Sequence, residues 1–539
     1  MPTAAALIAE RLARAGCTHA FGMPGGEVLS LVAALEAAGI TFVLARHENA
    51  AGFMAEGYWH RTGRPPVLVT TIGPGLANAV NVTLNALQDQ VPLIVLSGSV
   101  DPAEALTYTH QVLDHGQVMR PVTKASFLAT PGGVAVMVDK ALAIARDDRP
   151  GPVHIDLPIA LADAQEPARP DLARPAPAPA APAPGEALDR ARGWLVDAER
   201  PLMIAGIDVL HHGAAEAIAA VCRRLSIPLI TTYKAKGVLP EDDPLALGGA
   251  GLSPKADRRL LPLIAEADLV LSVGYDPIEM RIGWRDPWGP EKRVVELTAA
   301  PNHHYMHQAA ISFVGDVGAG LRALTDGIAP RPTWPGGEPA AVRTALRRDF
   351  APAGDGADDW GPAGVFAALR QALPDDAVVT VDSGAHRILL SQQWTCARPR
   401  TLLQSTAFCT MNCALPLGIG AKLAAGDRPV VAVVGDGGLE MGLGELATAR
   451  DRGIALVVVV LADASLALID LKQRARKLPS AGVTLGATDF AAVAEAMGCH
   501  GTTATDAATL ADAVAVGLAA DRPTVIACPI DKRAYEGAF

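Results

Sequence analysis

VVAVVGDGGLEMGLGELATARDRGIALVVVVLADAS occupies Val430–Ser465. Two short strand-length runs, Pro429–Val434 and Ile454–Leu461, flank a more polar stretch of helical length. Runs rich in valine with no polar alternation suit strands buried on both faces of a parallel sheet. Each run leads into an aspartate, through Gly435-Asp436-Gly437-Gly438 in the first case and Ala462-Asp463-Ala464-Ser465 in the second. Parallel sheets bind ligands just beyond the C-terminal ends of their strands. Gly437 and Gly438 are expected to let backbone N–H groups approach a diphosphate, with a helix N-terminus behind them. Asp436 and Asp463 then offer hard oxygen ligands for Mg²⁺, which binds through one or two carboxylates plus phosphate oxygens. Either aspartate alone reads equally as a helix N-cap. The pair on successive strands, with glycines beside the first, is more specific.

The same alternation extends outward. Val378–Val381 is a strand upstream and Glu440–Arg452 a helix within the quoted stretch. Pro201–Ala205, Pro228–Thr232 and Leu269–Val273 are strands in the middle of the chain, and Thr41–Ala45, Val67–Ile72 and Leu93–Leu96 near its start. Ala50–Arg61 and Leu76–Asp89 read as helices between the early strands. Strands alternating with helices predict an α/β fold of doubly wound parallel sheets. The Pro/Ala run EPARPDLARPAPAPAAPAPGE (Glu166–Glu186) reads as an extended connector. APRPTWPGGEPA (Ala329–Ala340) is a weaker break. The expected division is 1–165, a linker at 166–188, 189–328, a second linker at 329–355, and 356–539. No sequence repeat recurs at a fixed period.

A net charge of −11 over 539 residues argues against nucleic acid and against an anionic membrane surface as partners. Seven scattered cysteines, an odd number with no CxxC pair, exclude a disulfide framework or zinc site and suit a reducing, cytoplasmic compartment. The opening MPTAAALIAERLARAG carries Glu10, Arg11 and Arg14 in an amphipathic pattern and reads as a helix, not a signal peptide.

Gly435 to Asp463 resembles the motif of thiamine diphosphate enzymes in which the aspartate of a GDG and an asparagine 27 positions on bind the metal. The resemblance implies Asp436, Asp463 and the carbonyl of Ser465 as metal ligands, and Gly435, Gly437 and Gly438 as cofactor contacts. Aspartate in place of asparagine is similar to the FAD-independent, catabolic acetolactate synthases. LARHENAAGFMAEGYWHRTG (Leu44–Gly63) sets Glu48 between a strand and an apolar-faced helix. A glutamate there is ordinarily a first-turn residue. FGMPGGE (Phe21–Glu27) and TIGPGLANAV (Thr71–Val80) resemble the loops that flank the catalytic glutamate of this family. The resemblance therefore implies that Glu48 hydrogen-bonds the cofactor's aminopyrimidine, with Gly25, Gly73, Pro74 and Gly75 beside it.

It further implies that Met411, in FCTMNCALPLGIGAK, wedges between the cofactor rings, with Cys409 nearby, and that Gly384 and His386 of VDSGAHRILLSQ lie on the diphosphate side. Gln111 and His110, in THQVLDHGQVMRPVTK, align beside the reacting carbonyl, and Leu468 with Ile469 in the apolar acyl pocket. Cys409, Asn412, Ala385 and His110 depart from the usual residues. VGYDPIEMRIGW (Val273–Trp284) resembles the FAD-free branch, and AGIDVLHHG (Ala205–Gly213) has no GxGxxG, so FAD is not expected.

The expected function is a thiamine diphosphate- and Mg²⁺-dependent carboligase resembling acetolactate synthase, with a pyruvate-type donor and a 2-oxo acid or aldehyde acceptor. The alternatives are a non-ligating 2-oxo acid decarboxylase, an acetyl transferase to phosphate, and a non-catalytic cofactor-binding homologue. The family implies a homodimer at least, with a homotetramer usual.

Overall fold

Eighteen strands form three six-stranded sheets among the described residues of this computed structural model, which describes residues 1–167, 169–170, 177–352 and 360–539. Parts of both expected linkers (168, 171–176 and 353–355) and residues 356–359 lie outside the described residues. The first sheet comprises β1 (His19–Met23), β2 (Thr41–Leu44), β3 (Val67–Thr70), β4 (Ile94–Ser99), β5 (Ala125–Leu128) and β6 (Val153–Pro158). The second comprises β7 (Pro201–Ala205), β8 (Leu229–Thr232), β9 (Ala246–Ala250), β10 (Leu269–Val273), β11 (Val294–Thr298) and β12 (Ile311–Val314). The third comprises β13 (Val378–Val381), β14 (Leu402–Gln404), β15 (Val430–Gly435), β16 (Val457–Ala462), β17 (His500–Thr503) and β18 (Thr524–Pro529). Every pairing is parallel, and helices flank the sheets, as expected for doubly wound α/β units.

The strand orders are β2-β1-β3-β4-β6-β5, β12-β11-β10-β7-β8-β9 and β14-β13-β15-β16-β18-β17. The valine runs behave as their composition requires. Val431, Val433, Val457 and Val459 enter one apolar core, and Ala432, Val434, Val458 and Val460 enter another. Alternate side chains leave opposite faces of a strand, so continuous apolarity reflects burial on both faces. The register Val433↔Val459 and Gly435↔Leu461 brings the ends of β15 and β16 side by side.

The helix Glu48–Thr62 follows β2, and the helix Ala414–Ala425 follows β14. They pack on each other through two glycines: a Cβ on Gly420 would land on the Met54 carbonyl, and one on Gly57 on that of Leu417. The backbones therefore approach more closely than side chains permit elsewhere.

Two expectations need correction. The segment read as a second linker, 329–355, contains a helix, Glu338–Asp349, whose Leu346 joins the core with Phe350 just beyond it. Its opening Pro and Gly residues mark a helix start rather than an open connector. The helix expected over Glu440–Arg452 is two helices, Asp436–Glu440 and Gly444–Asp451. Gly442 and Gly444 interrupt it, one pressed on the Asn412 side chain and the other 3.3 Å, at a virtual Cβ, from Arg46 Cβ.

Candidate active site

Three aspartates stand immediately after neighbouring strands of the third sheet: Asp382 after β13, Asp436 after β15 and Asp463 after β16. Asp436 Oδ2 accepts the backbone N–H groups of Asp463 (3.1 Å) and Ala464 (2.6 Å), and its Oδ1 accepts that of Gly437 (2.7 Å). Asp463 Oδ1 accepts Ser465 N–H at 2.9 Å. Burial raises the Asp436 carboxyl, and burial together with the Asp436 charge pushes Asp463 up to about 7. Two like-charged carboxylates held this close, with the Ser465 backbone alongside, form a donor set suited to a hard divalent cation.

Asp382 was not singled out from sequence. Its two oxygens accept Asn412 N–H and Cys413 N–H, both at 2.9 Å, and so pin the loop that carries Met411. The signal that could have found it is the strand-end position it shares with Asp436 and Asp463. It also alters the reading of two glycines. Gly438 lacks a side chain because a Cβ there would strike Asp382 Oδ2, and the Gly437 N–H is already donated to Asp436. The glycines serve the acid cluster first, and the expected free approach of the Gly437 amide to a diphosphate is not available in this arrangement.

These strand ends open into a cavity of about 630 Å³. Its wall brings together Gly384, His386, Cys409, Met411, Gly435, Asp436, Gly437, Gly438, Asp463, Ser465 and Leu468, which is the whole expected C-terminal set. Leu252, Pro254 and Arg281 of the middle unit and Tyr535 and Phe539 of the C-terminal end also line it. Ser383 Oγ, His386 Nε2 and Ser465 Oγ are buried there without a protein hydrogen-bond partner. Unpaired buried polar atoms are costly, and a polar, phosphate-bearing ligand would satisfy them. Burial, with Arg387 adding to it, pushes His386 down to about 3, so at neutral pH it offers a neutral imidazole. Arg387, also unforeseen, is buried and donates to the Ser405 carbonyl and, at 3.1 Å, to Cys409 Sγ. Cys409 and Asn412 both hold positive φ, 59° and 62°. Cys409 is exposed, whereas the other six cysteines are buried.

The N-terminal set gathers at the C-terminal edge of the first sheet. Glu48 starts its own helix and is buried. Its Oε2 accepts Asn78 Nδ2–H at 3.0 Å, and a Cβ on Gly75 would lie 3.3 Å from its Oε1. Gly73 and Pro74 open the helix Pro74–Gln88, whose N-terminus favours a nearby carboxylate. Gly25 packs on Thr71, which donates to Glu27 at 2.6 Å. Among the described residues Glu48 does not line the cavity of the aspartates. Gln111 lines a separate cavity of about 460 Å³, its carbonyl 2.6 Å from where a Cβ of Gly73 would sit. His110 is exposed and touches the Tyr108 ring edge-on at 6.2 Å. One chain therefore displays two half-sites.

Comparison with known proteins accounts for this division. Residues 2–118 match the "Thiamine pyrophosphate enzyme, N-terminal TPP binding domain", 188–324 the central domain and 382–528 the C-terminal TPP binding domain. The chain is 32% identical to the protein named "Probable 2-ketoarginine decarboxylase AruI" of Pseudomonas aeruginosa, over 92% of this chain and 88% of that one. It is 29% identical to an acetolactate synthase of Bacillus subtilis over 98% and 93% of the two chains. It is 30% identical to the acetolactate synthase isozyme 1 large subunit of Escherichia coli, over 87% and 83%. With glutamate and aspartates standing at the strand ends of two units that each match a TPP binding domain, the chain belongs to the thiamine pyrophosphate enzymes of acetolactate synthase and 2-oxo acid decarboxylase type.

Proposed function

We propose that the protein is a Mg²⁺-dependent carboligase that decarboxylates a pyruvate-type 2-oxo acid and joins the retained fragment to a second 2-oxo acid or an aldehyde. The observation that carries this reading is the pair of half-sites: one buried glutamate on the first sheet and paired aspartates on the third. Thiamine diphosphate, when bound, supplies the electron sink for loss of CO₂. Glu48 holds a proton at the aminopyrimidine. Asp436, Asp463 and the Ser465 carbonyl would hold the metal, and Met411 would lie against the cofactor. His386 offers a neutral hydrogen bond on the diphosphate side. Leu468 and Ile469 favour a small acyl group, and Gln111 and His110 stand on the substrate side.

Charge narrows the substrate. The cavity wall carries Arg387 and Lys472, with Arg281 beside them paired to Asp257 at 2.6 Å, while its acids are the Asp436–Asp463 pair. Such a wall suits a carboxylate and opposes a guanidinium-bearing acid such as the one in the name of the Pseudomonas relative. That relative favours a second reading, decarboxylation without ligation.

The half-sites complete one another across a homodimer, with a tetramer as the larger assembly. Leu29 (62% exposed), beside the Gly25 loop, and Met441 (64%), beside the Asp436 helix, supply apolar surface for such a contact. FAD has no place in this reading. The middle sheet has the dinucleotide-binding strand order, and at its switch point between β7 and β10 a Cβ on Gly206 would meet the Gly274 carbonyl at 2.4 Å, so the two strand ends approach closely there. No helix among the described residues is long and apolar enough to cross a membrane.

The test is product analysis with pyruvate, Mg²⁺ and thiamine diphosphate on protein scanned for flavin absorbance. Acetolactate, decaying to acetoin, is expected. Free acetaldehyde alone would install the second reading, and stoichiometric flavin would overturn the FAD assignment.

A further inference from the structure

We infer that His115, fixed by Asp156, is a positioning residue that sets the Gly73–Gly75 turn and, through it, Glu48. The inference rests on the proposal that Glu48 is the catalytic carboxylate.

Gly73 has φ +54°, in the left-handed region. Its N–H donates to His115 Nε2 at 3.1 Å. His115 Nδ1 lies 2.7 Å from Asp156 Oδ1. A neutral imidazole carries one donor and one acceptor. Accepting the Gly73 N–H at Nε2 places the ring proton on Nδ1, where Asp156 receives it, so the two contacts assign one tautomer.

The base of this relay is rigid. Asp156 lies on β6, and Ser97 on β4 donates to the same Oδ1 at 2.5 Å. His154 stands 3.4 Å from that oxygen, with Ser97 Oγ and Ser126 Oγ at 2.7 and 2.8 Å from its two ring nitrogens. Burial opposes ionisation of Asp156, but the hydrogen bonds from His115 and His154 outweigh it and hold the carboxyl well below the usual range. His115, His154 and Asp156 are close enough to share a metal ion. Both nitrogens of His115 are already engaged, however, so hydrogen bonding accounts for the cluster without an ion.

The other end of the relay reaches Glu48. The turn opens the helix Pro74–Gln88, on which Asn78 donates to Glu48 Oε2 at 3.0 Å. Gly75 faces Glu48 Oε1, with a virtual Cβ at 3.3 Å. Asp156, His115, Gly73, Asn78 and Glu48 thus form one contiguous path from sheet to carboxylate. His115 lies in the THQVLDHGQVMRPVTK stretch but touches neither the aspartate cavity nor Glu48 directly.

The test compares His115→Phe, which removes both hydrogen bonds, with His115→Gln, whose amide oxygen can still accept from Gly73. Amide exchange of residues 71–78 is measured on the full chain without cofactor, and kcat and KM for pyruvate with it. For the Phe variant we expect exchange in 71–78 roughly tenfold faster, the size of one net hydrogen bond, with β4 and β6 still protected. We expect kcat to fall about 10- to 100-fold, as for a slightly misplaced catalytic group, with KM nearly unchanged. The Gln variant should recover most of both. Unchanged exchange in 71–78, or loss of protection across the whole sheet with Gln as damaged as Phe, overturns the inference. The exchange readout uses no substrate. If pyruvate is not turned over by the wild type, the proposed function fails while the exchange result still decides the role of His115.

Discussion

The first and third sheets share one strand order, 2-1-3-4-6-5 when each is counted from its own first strand. Their strand ends carry different chemistry. Immediately after the first strand comes Pro24 in one and Asp382 in the other; after the third, Thr71 and Asp436; after the fourth, Val100 and Asp463. The second crossover leads to Glu48 in one unit and to Met411 in the other, and the helices that follow pack on each other. Topology therefore provides equivalent stations, and residue type assigns each its task. The third sheet concentrates acids where backbone N–H groups can hold them as a cation site. The first sheet has no acid pair at these stations and surrounds Glu48 with glycine turns and the Asn78 amide.

The sharpest way to break this contrast is Glu48→Gln. With Asn78 and the helix N-terminus intact, the protein should fold and bind cofactor while kcat falls about 10²- to 10⁴-fold, the range for losing a positioned proton-transfer group. A loss below tenfold in steady-state turnover would remove Glu48 from its proposed role. Asp436→Ala attacks the opposite station. Apparent affinity for Mg²⁺ and thiamine diphosphate, read by tryptophan fluorescence, should fall at least about 100-fold, beyond the range for residues that only orient a ligand. Equal affinity would show that the aspartate cluster is purely structural. The smallest effect tests the seam between the units. Gly420→Ala drives a Cβ onto the Met54 carbonyl and should cost about 1–3 kcal/mol by overpacking. A thermal midpoint unchanged from wild type would mean that the two helices are free to separate.

Much of this was legible along the chain because it is local. Valine runs, helical spacing and glycine–aspartate turns are short-range patterns, and they place Asp436, Asp463 and Glu48 at strand ends. The misreadings were equally local. Gly442 and Gly444 split a stretch with helical spacing, and the Pro/Gly-rich opening of 329–355 hid the helix Glu338–Asp349.

The order of apolar and polar residues was sufficient for three parallel α/β units and for the strand-end positions of Asp436 and Asp463, since strand period and strand ends follow from neighbouring residues. It was not sufficient for Asp382 beneath the Met411 loop, 30 and 31 positions from the amides it holds, or for His115 beneath Gly73, 42 positions away. Those pairings depend on which strands lie side by side and how closely the loops between them pack. Contacts of that kind form only when the sheets close and buried donors and acceptors must find partners.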